Sequence, residues 1–241
     1  EMDHLIGDSR PEDALSENEA PQPDPIEATA SRAGDIWRLG DHLLICGDVR
    51  DGDVLDRLMG SERAQMSFLD PPYNVAIDGH ARGLGRIQHR EFAMASGEMS
   101  PQEFRAFLQD CLRQLAQVSA DGSLHYVCMD WRHIADLIAV GQQVYSEFKN
   151  LAVWVKENAG MGSFYRSQHE LVAIFKKGKA PHLNNFGLGE TGRYRSNVWS
   201  YAGVNSFKKN RAFELAAHPT VKPVALVKDA IKDVTRRGQI V

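Results

Sequence analysis

The stretch Met66-Ser67-Phe68-Leu69-Asp70-Pro71-Pro72-Tyr73 decides the fold class of this chain. Its first four residues form a short, largely apolar run that is typical of a buried strand. The two prolines fix φ and remove two backbone N–H donors, so we expect the chain to leave the strand as a stiff, extended loop. Ligands of open α/β sheets bind just outside the carboxyl ends of the strands, where this loop would present Asp70 and Tyr73.

This loop carries the groups that alkylation of an exocyclic amino group on a nucleobase requires. The lone pair of such a nitrogen is delocalised into the ring, and two acceptors on its N–H groups would make it more nucleophilic. Asp70 and the Pro71 carbonyl could be those acceptors, and Tyr73 could stack on a base rotated out of the duplex. A rigid loop without a catalytic role is the alternative for these residues taken alone.

Two further blocks of sequence bear on the function of the chain. They are Gly47-Asp48, after an apolar run, and His218-Pro219-Thr220-Val221-Lys222-Pro223, before a helical pattern. Together with Asp70–Tyr73, they resemble the amino-group DNA methyltransferases, which use S-adenosylmethionine to modify N6 of adenine or N4 of cytosine. The resemblance covers about residues 36–241. It implies that Asp70, Pro71, Pro72 and Tyr73 are catalytic and that Asp48, Asp70, Thr220, Lys222 and Pro223 line the cofactor pocket.

The order of these blocks resembles the circularly permuted β group of that family. The resemblance implies a Rossmann-like methyltransferase fold, a mostly parallel sheet with one reversed strand. In that group a Phe-x-Gly-x-Gly cofactor loop follows the last strand, and Gly238–Val241 resembles the start of that strand. We therefore expect residues 36–241 to be an incomplete catalytic domain, truncated at its C-terminal end, that binds S-adenosylmethionine weakly or not at all.

The pattern of apolar residues predicts alternating strands and helices, and therefore an α/β sheet. Ser100 and Pro101 are typical of an N-cap and a first helical turn, and apolar residues between Phe104 and Leu115 recur on one helical face. We predict strands near 43–46, 65–69, 123–128, 150–156 and 170–176, and helices near 51–59, 101–118, 131–144 and 222–236.

The net charge of −4 is unevenly distributed. Residues 1–35 hold ten acidic and two basic residues and several prolines, which predicts a disordered linker, one that could tether a ParB-like domain. The remainder is slightly basic. No apolar run approaches the length of a membrane span and no signal peptide is visible, which predicts a cytoplasmic protein. The three cysteines are predicted to be reduced core residues, and His169-Glu170 lacks the second histidine of a zinc motif, so we predict no metal.

Two irregular stretches, 74–97 and 184–213, are the candidate contacts to double-stranded DNA. The first is a long loop with basic residues beside Asp70–Tyr73, and the second mixes basic and aromatic residues. A solvated surface loop is the alternative for the second. Gly187–Gly192 fits G-x-G-x-x-G but lacks a dinucleotide-binding context. The predicted DNA-binding residues are Asn74, Arg82, Arg86, Lys156, Tyr165, Arg166, Arg193, Arg195, Lys208, Lys209 and Arg211. The family resemblance implies the role of Lys156, Tyr165 and Arg166, and a structural hairpin is the alternative for their segment.

The sequence therefore predicts a DNA methyltransferase, with N6 of adenine favoured over N4 of cytosine. A homodimer and a restriction partner are both possible. Two alternatives stay open. One is methylation of RNA or of a protein glutamine, and the other is a non-catalytic, DNA-binding remnant of a methyltransferase.

Overall fold

The computed structural model describes residues 31–76, 94–160, 164–186, 194–203 and 221–241. Several predictions fall outside these ranges, namely the linker up to residue 30 and the glycine motif at 187–192. The same holds for the site residues Arg82, Arg86, Arg193, Lys208, Lys209, Arg211 and Thr220.

Five strands form the central sheet of the described chain. They are β3 (Ala64–Leu69), β4 (Ser119–Met129), β5 (Glu147–Val155), β6 (His169–Lys176) and β7 (Val198–Ser200), in the order β3-β4-β6-β5-β7. The β3–β4 and β5–β7 pairs are parallel, whereas β6 is antiparallel to both of its neighbours. Four strands therefore run in one direction and only β6 is reversed, as the sequence predicted.

Helices cover both faces of this sheet. They are α1 (Gly52–Met59), α2 (Pro101–Gln117), α3 (Ile134–Val144) and α4 (Val224–Val234). On one face, α2 and α3 pack on β4 and β6 around the fully buried Phe104 and Phe175. On the other face, α4 inserts Leu226 and Ala230 against Met66 of β3 and neighbouring strands. The central strands β4 and β6 bury side chains on both sides, which is the three-layer arrangement of α/β proteins.

Local sequence signals explain the position of α2 and α3. The Ser100 side chain accepts a hydrogen bond from the Glu103 N–H, and the Glu103 carboxylate accepts one from Ser100, so the predicted cap is confirmed as a capping box. Helix α3 approaches β6 closely at Gly141, where a Cβ atom would lie 2.3 Å from the Phe175 ring. Only glycine permits this packing.

Near the amino end of the domain, the strand predicted near 43–46 is present but lies outside the main sheet, and one predicted core cysteine is exposed. The apolar run before Cys46 does not enter the main sheet, because β2 (His42–Ile45) pairs only with β1 (Ile36–Leu39) in a separate antiparallel hairpin. Cys46 is consequently exposed rather than part of the core, while Cys111 and Cys128 are buried as predicted. Within the described ranges, no helix is long and apolar enough to cross a membrane.

Other boundaries shifted for local reasons. Strand β4 begins four residues earlier than predicted, and α3 begins at Ile134 rather than near 131. The Asp130 carboxylate accepts hydrogen bonds from the backbone N–H groups of Arg132 and His133, which forms a turn ahead of the helix. Strand β7 was not predicted, since its three residues are too short for a period to be visible.

Candidate active site at the carboxyl edge of the sheet

Strand direction brings charged residues from distant parts of the sequence to one edge of the sheet. Asp70 directly follows the carboxyl end of β3, and Lys156 directly follows that of β5. Because β6 is reversed, its amino end lies at the same edge, and Glu170 pairs in register with Trp154 near the end of β5. Lys222 reaches this edge from the segment just before α4.

These residues contact each other directly and form what we call the charge network: Asp70, Tyr73, Lys156, Glu170 and Lys222. The Lys222 ammonium bridges the two carboxylates, with Nζ 2.7 Å from Oδ2 of Asp70 and 3.1 Å from Oε2 of Glu170. Lys156 donates a hydrogen bond to the other oxygen of Glu170, Oε1. Asp70 remains the most solvent-accessible of these charged side chains, at 31% exposure, against 8% for Lys222.

Tyr73 joins the network through its hydroxyl group. The oxygen lies 2.8 Å from Oδ1 of Asp70 and 3.1 Å from Oε2 of Glu170, and its single proton can be donated to only one of them at a time. Burial, and then the charges of Glu170 and Asp70, raise the pKa of Tyr73, so the hydroxyl keeps its proton at neutral pH. The ring packs against the hydrophobic clusters on both faces of the sheet.

Electrostatic coupling keeps Glu170 and Lys222 ionised. Burial tends to raise the pKa of Glu170, but the nearby ammonium groups of Lys222 and Lys156 outweigh it and hold that pKa below the usual range. Burial likewise disfavours the charged form of Lys222, yet Glu170 and Asp70 raise its pKa above the ordinary value. The buried Lys222 and the half-buried Lys156 are thus compensated by two carboxylates, as charges in a partly dehydrated site require.

Comparison with known proteins identifies the family. The family of N6/N4 methyltransferases, described as DNA methylase, matches residues 64–241, about three quarters of the chain. This chain belongs to the DNA methylase family. Its members are S-adenosylmethionine-dependent methyltransferases of adenine N6 or cytosine N4.

Solved structures share the fold of this DNA methylase. The M1.HpyAVI chain in its complex with SAM is 16% identical to this chain, with a TM-score of 0.50. The aligned part covers 80% of this chain and 76% of the M1.HpyAVI chain. The PvuII DNA methyltransferase, described as cytosine-N4-specific, is 13% identical, covers 76% of this chain and 68% of its own, and has a TM-score of 0.51. At these identities the likeness concerns the fold alone.

The rest of the Asp-Pro-Pro-Tyr loop of the methylase is well anchored. Pro71 and Pro72 are half-buried in the loop that leaves β3. Asn74 is buried with φ of 53°, and its side-chain oxygen accepts hydrogen bonds from Gly97 N–H and Met99 N–H. Its amide nitrogen donates to the Met99 carbonyl oxygen. The side chain of Asn74, predicted to contact DNA, therefore connects the Asp-Pro-Pro-Tyr loop to the segment before α2.

The predicted cofactor residues of the methylase lie in two places. Lys222 belongs to the charge network, and Pro223 is the N-cap residue of α4 directly after it. Asp48 lies in the turn before α1, where its carboxylate accepts three side-chain hydrogen bonds from Arg50, which hold its pKa below the ordinary value. The adjacent Val49 packs against the same hydrophobic cluster as Tyr73. The described side-chain contacts of Asp48 are with Arg50, outside the charge network.

The predicted DNA-binding residues that the structure describes fall into three groups. Tyr165 is 85% exposed and Arg166 is also exposed, so both are accessible to a large ligand. Lys156 is engaged with Glu170. Arg195 forms an ion pair with the buried Asp233 of α4 and lies over the Trp199 ring, so its guanidinium packs β7 against α4.

Sequence reasoning missed Glu170, the residue with the most partners in the charge network. It was considered only as half of a zinc motif. The available signal was weak, because an acidic residue at the start of an apolar strand is common. Its significance depends on β6 being reversed and placed between β4 and β5, which no local pattern shows. Across the described ranges, no three metal-ligating side chains are grouped to hold an ion.

Proposed function

We propose that this DNA methylase transfers a methyl group from S-adenosylmethionine to the exocyclic amino group of a base in double-stranded DNA, N6 of adenine in the first place and N4 of cytosine as the alternative. The observation that carries this proposal is the position of Asp70. Its carboxylate is partly exposed at the edge of the sheet where α/β proteins bind ligands, and it is fixed there by Lys222 and Tyr73.

Asp70 is suited to accept a hydrogen bond from an amino group. Oδ2 of its carboxylate accepts a hydrogen bond from Lys222 and Oδ1 lies 2.8 Å from the Tyr73 hydroxyl oxygen, and each oxygen keeps a further lone pair. The Pro71 carbonyl is the proposed second acceptor, and the following Pro72 stiffens the loop that presents it. Acceptors fixed before the reaction stabilise developing positive charge without having to reorganise.

The same edge suits a cationic methyl donor. S-adenosylmethionine supplies a methyl group on a positively charged sulfur, and the exposed Asp70 carboxylate provides a compensating charge there. We propose that Asp48, Thr220, Lys222 and Pro223 line this pocket together with Asp70. Support for the circularly permuted order of the β group comes from the backbone near residue 240. The Gln65 N–H donates a hydrogen bond to the Ile240 carbonyl oxygen, so this residue lies at the outer edge of β3.

The base is proposed to reach Asp70 by rotating out of the duplex. Tyr73 stacks on it in this proposal, and the exposed Tyr165 and Arg166 contact the surrounding strand. The basic residues of 74–97 and 184–213 are proposed to bind phosphates, which predicts an affinity that falls with rising salt concentration.

A transfer assay with separate substrates tests this proposal. The full-length protein is incubated with tritiated S-adenosylmethionine and, in parallel, with mixed-sequence duplex DNA, RNA or glutamine-containing protein. We expect label in DNA alone, and nucleoside analysis of the digested product to show N6-methyladenine. Asp70→Ala should abolish transfer, whereas the matched control Asp41→Ala, in the exposed turn between β1 and β2, should not. Label in RNA or protein alone, or DNA binding without transfer, would contradict the proposal.

A further inference from the structure

Glu170 lies behind the proposed catalytic loop, where it contacts the Tyr73 hydroxyl and shares the Lys222 ammonium group with Asp70. Its carboxylate contacts Lys156 through Oε1 and Lys222 through Oε2, and its side chain is only 12% exposed. Lys222 in turn contacts Asp70, which is more accessible to solvent. A change in charge at Glu170 therefore alters the electrostatic environment of Asp70 through two successive ion pairs, Glu170–Lys222 and Lys222–Asp70.

We propose that Glu170 is a positioning residue for methyl transfer, which balances the charges of Lys156 and Lys222 and thereby leaves the Asp70 carboxylate available to stabilise positive charge on the target nitrogen. This inference rests on the proposed function, because it assigns a role within the same reaction.

The balance of charge in the network supports this role. Two carboxylates, Asp70 and Glu170, face two ammonium groups, so these groups together carry no net charge. Burial raises the pKa of the Cys128 thiol, which lies among them, so Cys128 stays protonated and adds no charge. Were Glu170 neutral, Lys156 would lose its partner and Asp70 alone would face Lys222. The site would then carry one surplus positive charge.

The bonding changes explain why that surplus matters. The lone pair of the target nitrogen forms the new N–C bond while the C–S bond breaks and its electron pair returns to sulfur. Positive charge therefore moves from sulfur onto the nitrogen, which then loses one proton to Asp70 or to water. A surplus positive charge beside Asp70 opposes this movement, whereas balanced lysines do not.

Single-turnover methyl transfer to duplex DNA by the full-length protein tests the proposal. Glu170→Gln keeps the shape of the side chain and removes its charge. We expect the rate constant for transfer to fall on the order of 10- to 100-fold, the effect of one unit charge a few ångströms away in a partly shielded site. A single-turnover rate reports the transfer step rather than product release.

Rescue by a second substitution separates charge balance from mere support of the fold. Adding Lys156→Met to Glu170→Gln removes the surplus positive charge, and we expect the rate constant to recover by about tenfold relative to Glu170→Gln. If Glu170 only supported the fold, losing a second member of the network would lower the rate further. The matched pair Glu147→Gln and Glu147→Gln/Lys149→Met, an ion pair on the exposed side of β5, should leave the rate unchanged.

Glu170→Asp alone keeps the test decisive even if Glu170→Gln folds poorly. It keeps the charge and shortens the side chain by one methylene, so its rate constant should fall less than that of Glu170→Gln. A wild-type rate in Glu170→Gln, no recovery in the double variant, or a rate in Glu170→Asp as low as that in Glu170→Gln would each overturn the inference while leaving the proposed function intact. A wild-type protein that transfers no methyl group would overturn both.

Discussion

Replacing Lys222 by methionine removes the cation that bridges Asp70 and Glu170 while keeping most of the side-chain volume. Breaking a buried ion pair by removing one partner costs about 3–5 kcal/mol when the other charge is left uncompensated. Here both carboxylates keep some compensation, because Asp70 is 31% exposed to water and Glu170 retains Lys156. We therefore expect Lys222→Met to lower the free energy of unfolding by about 2–3 kcal/mol.

Urea unfolding at pH 7, followed by tryptophan fluorescence, measures this loss. With a slope of about 3 kcal/mol per molar urea, the midpoint should fall by about 0.7–1 M. Lys149→Met is the matched control, because its ammonium lies 2.9 Å from the exposed carboxylate of Glu147, and it should leave the midpoint essentially unchanged. Equal, small shifts in the two variants would refute the reasoning, since the bridge at Lys222 would then be worth no more than a surface ion pair.

Three other properties can be measured on the same protein. Asn74→Ala should lower the free energy of unfolding by about 2–3 kcal/mol, and Asn74→Gly should lower it less. Both variants lose the hydrogen bonds to the segment before α2, but only alanine is strained at φ of 53°. Equal losses in urea unfolding would contradict this. The pKa of Glu170 lies below its ordinary 4.5, so its contribution to stability is present above that pH and is lost as pH falls through the lowered pKa. Glu170→Gln should therefore flatten the acid limb of a stability–pH profile, and an unchanged limb would argue against the ion pairs. One thiol, that of the exposed Cys46, should react rapidly with a thiol reagent at pH 8, because burial raises the pKa of Cys111 to about 12 and that of Cys128 well above its ordinary value; two or three rapid thiols would contradict the buried positions.

The sequence predicted those parts of the site that have a local pattern or that belong to motifs in a characteristic order along the chain. Asp70 and Tyr73 could be placed because an apolar run followed by two prolines predicts a strand and a stiff loop at its carboxyl end. Lys222 was assigned to the same pocket from a block that lies 152 residues away, and the structure brings its ammonium to Asp70. The stacking role of Tyr73 remains a prediction, and its hydroxyl contacts to two carboxylates were not foreseen.

The parts that sequence did not predict depend on tertiary arrangement. Glu170 reaches the site because β6 runs against its neighbours, and strand direction has no signature in a short apolar run. The ion pair of Arg195 was not predicted, because the acid that pairs with it, Asp233, lies on a helix 38 residues later. The contact of Arg195 with phosphate remains a prediction. The exposed position of the β1–β2 hairpin was not predicted for a different reason. An apolar run has the same sequence pattern whether another layer covers the strand or leaves it exposed.

The central claim is that the Asp70 carboxylate directs a methyl group to the amino nitrogen of a base in DNA. Its most direct test compares single-turnover transfer from S-adenosylmethionine to duplex DNA by the wild type, Asp70→Asn and the control Asp41→Asn. Asparagine keeps the shape and one acceptor oxygen but loses the charge, so we expect Asp70→Asn to lower the rate constant by about 100- to 1000-fold, with Asp41→Asn unchanged. A rate in Asp70→Asn within about threefold of the wild type would contradict the account.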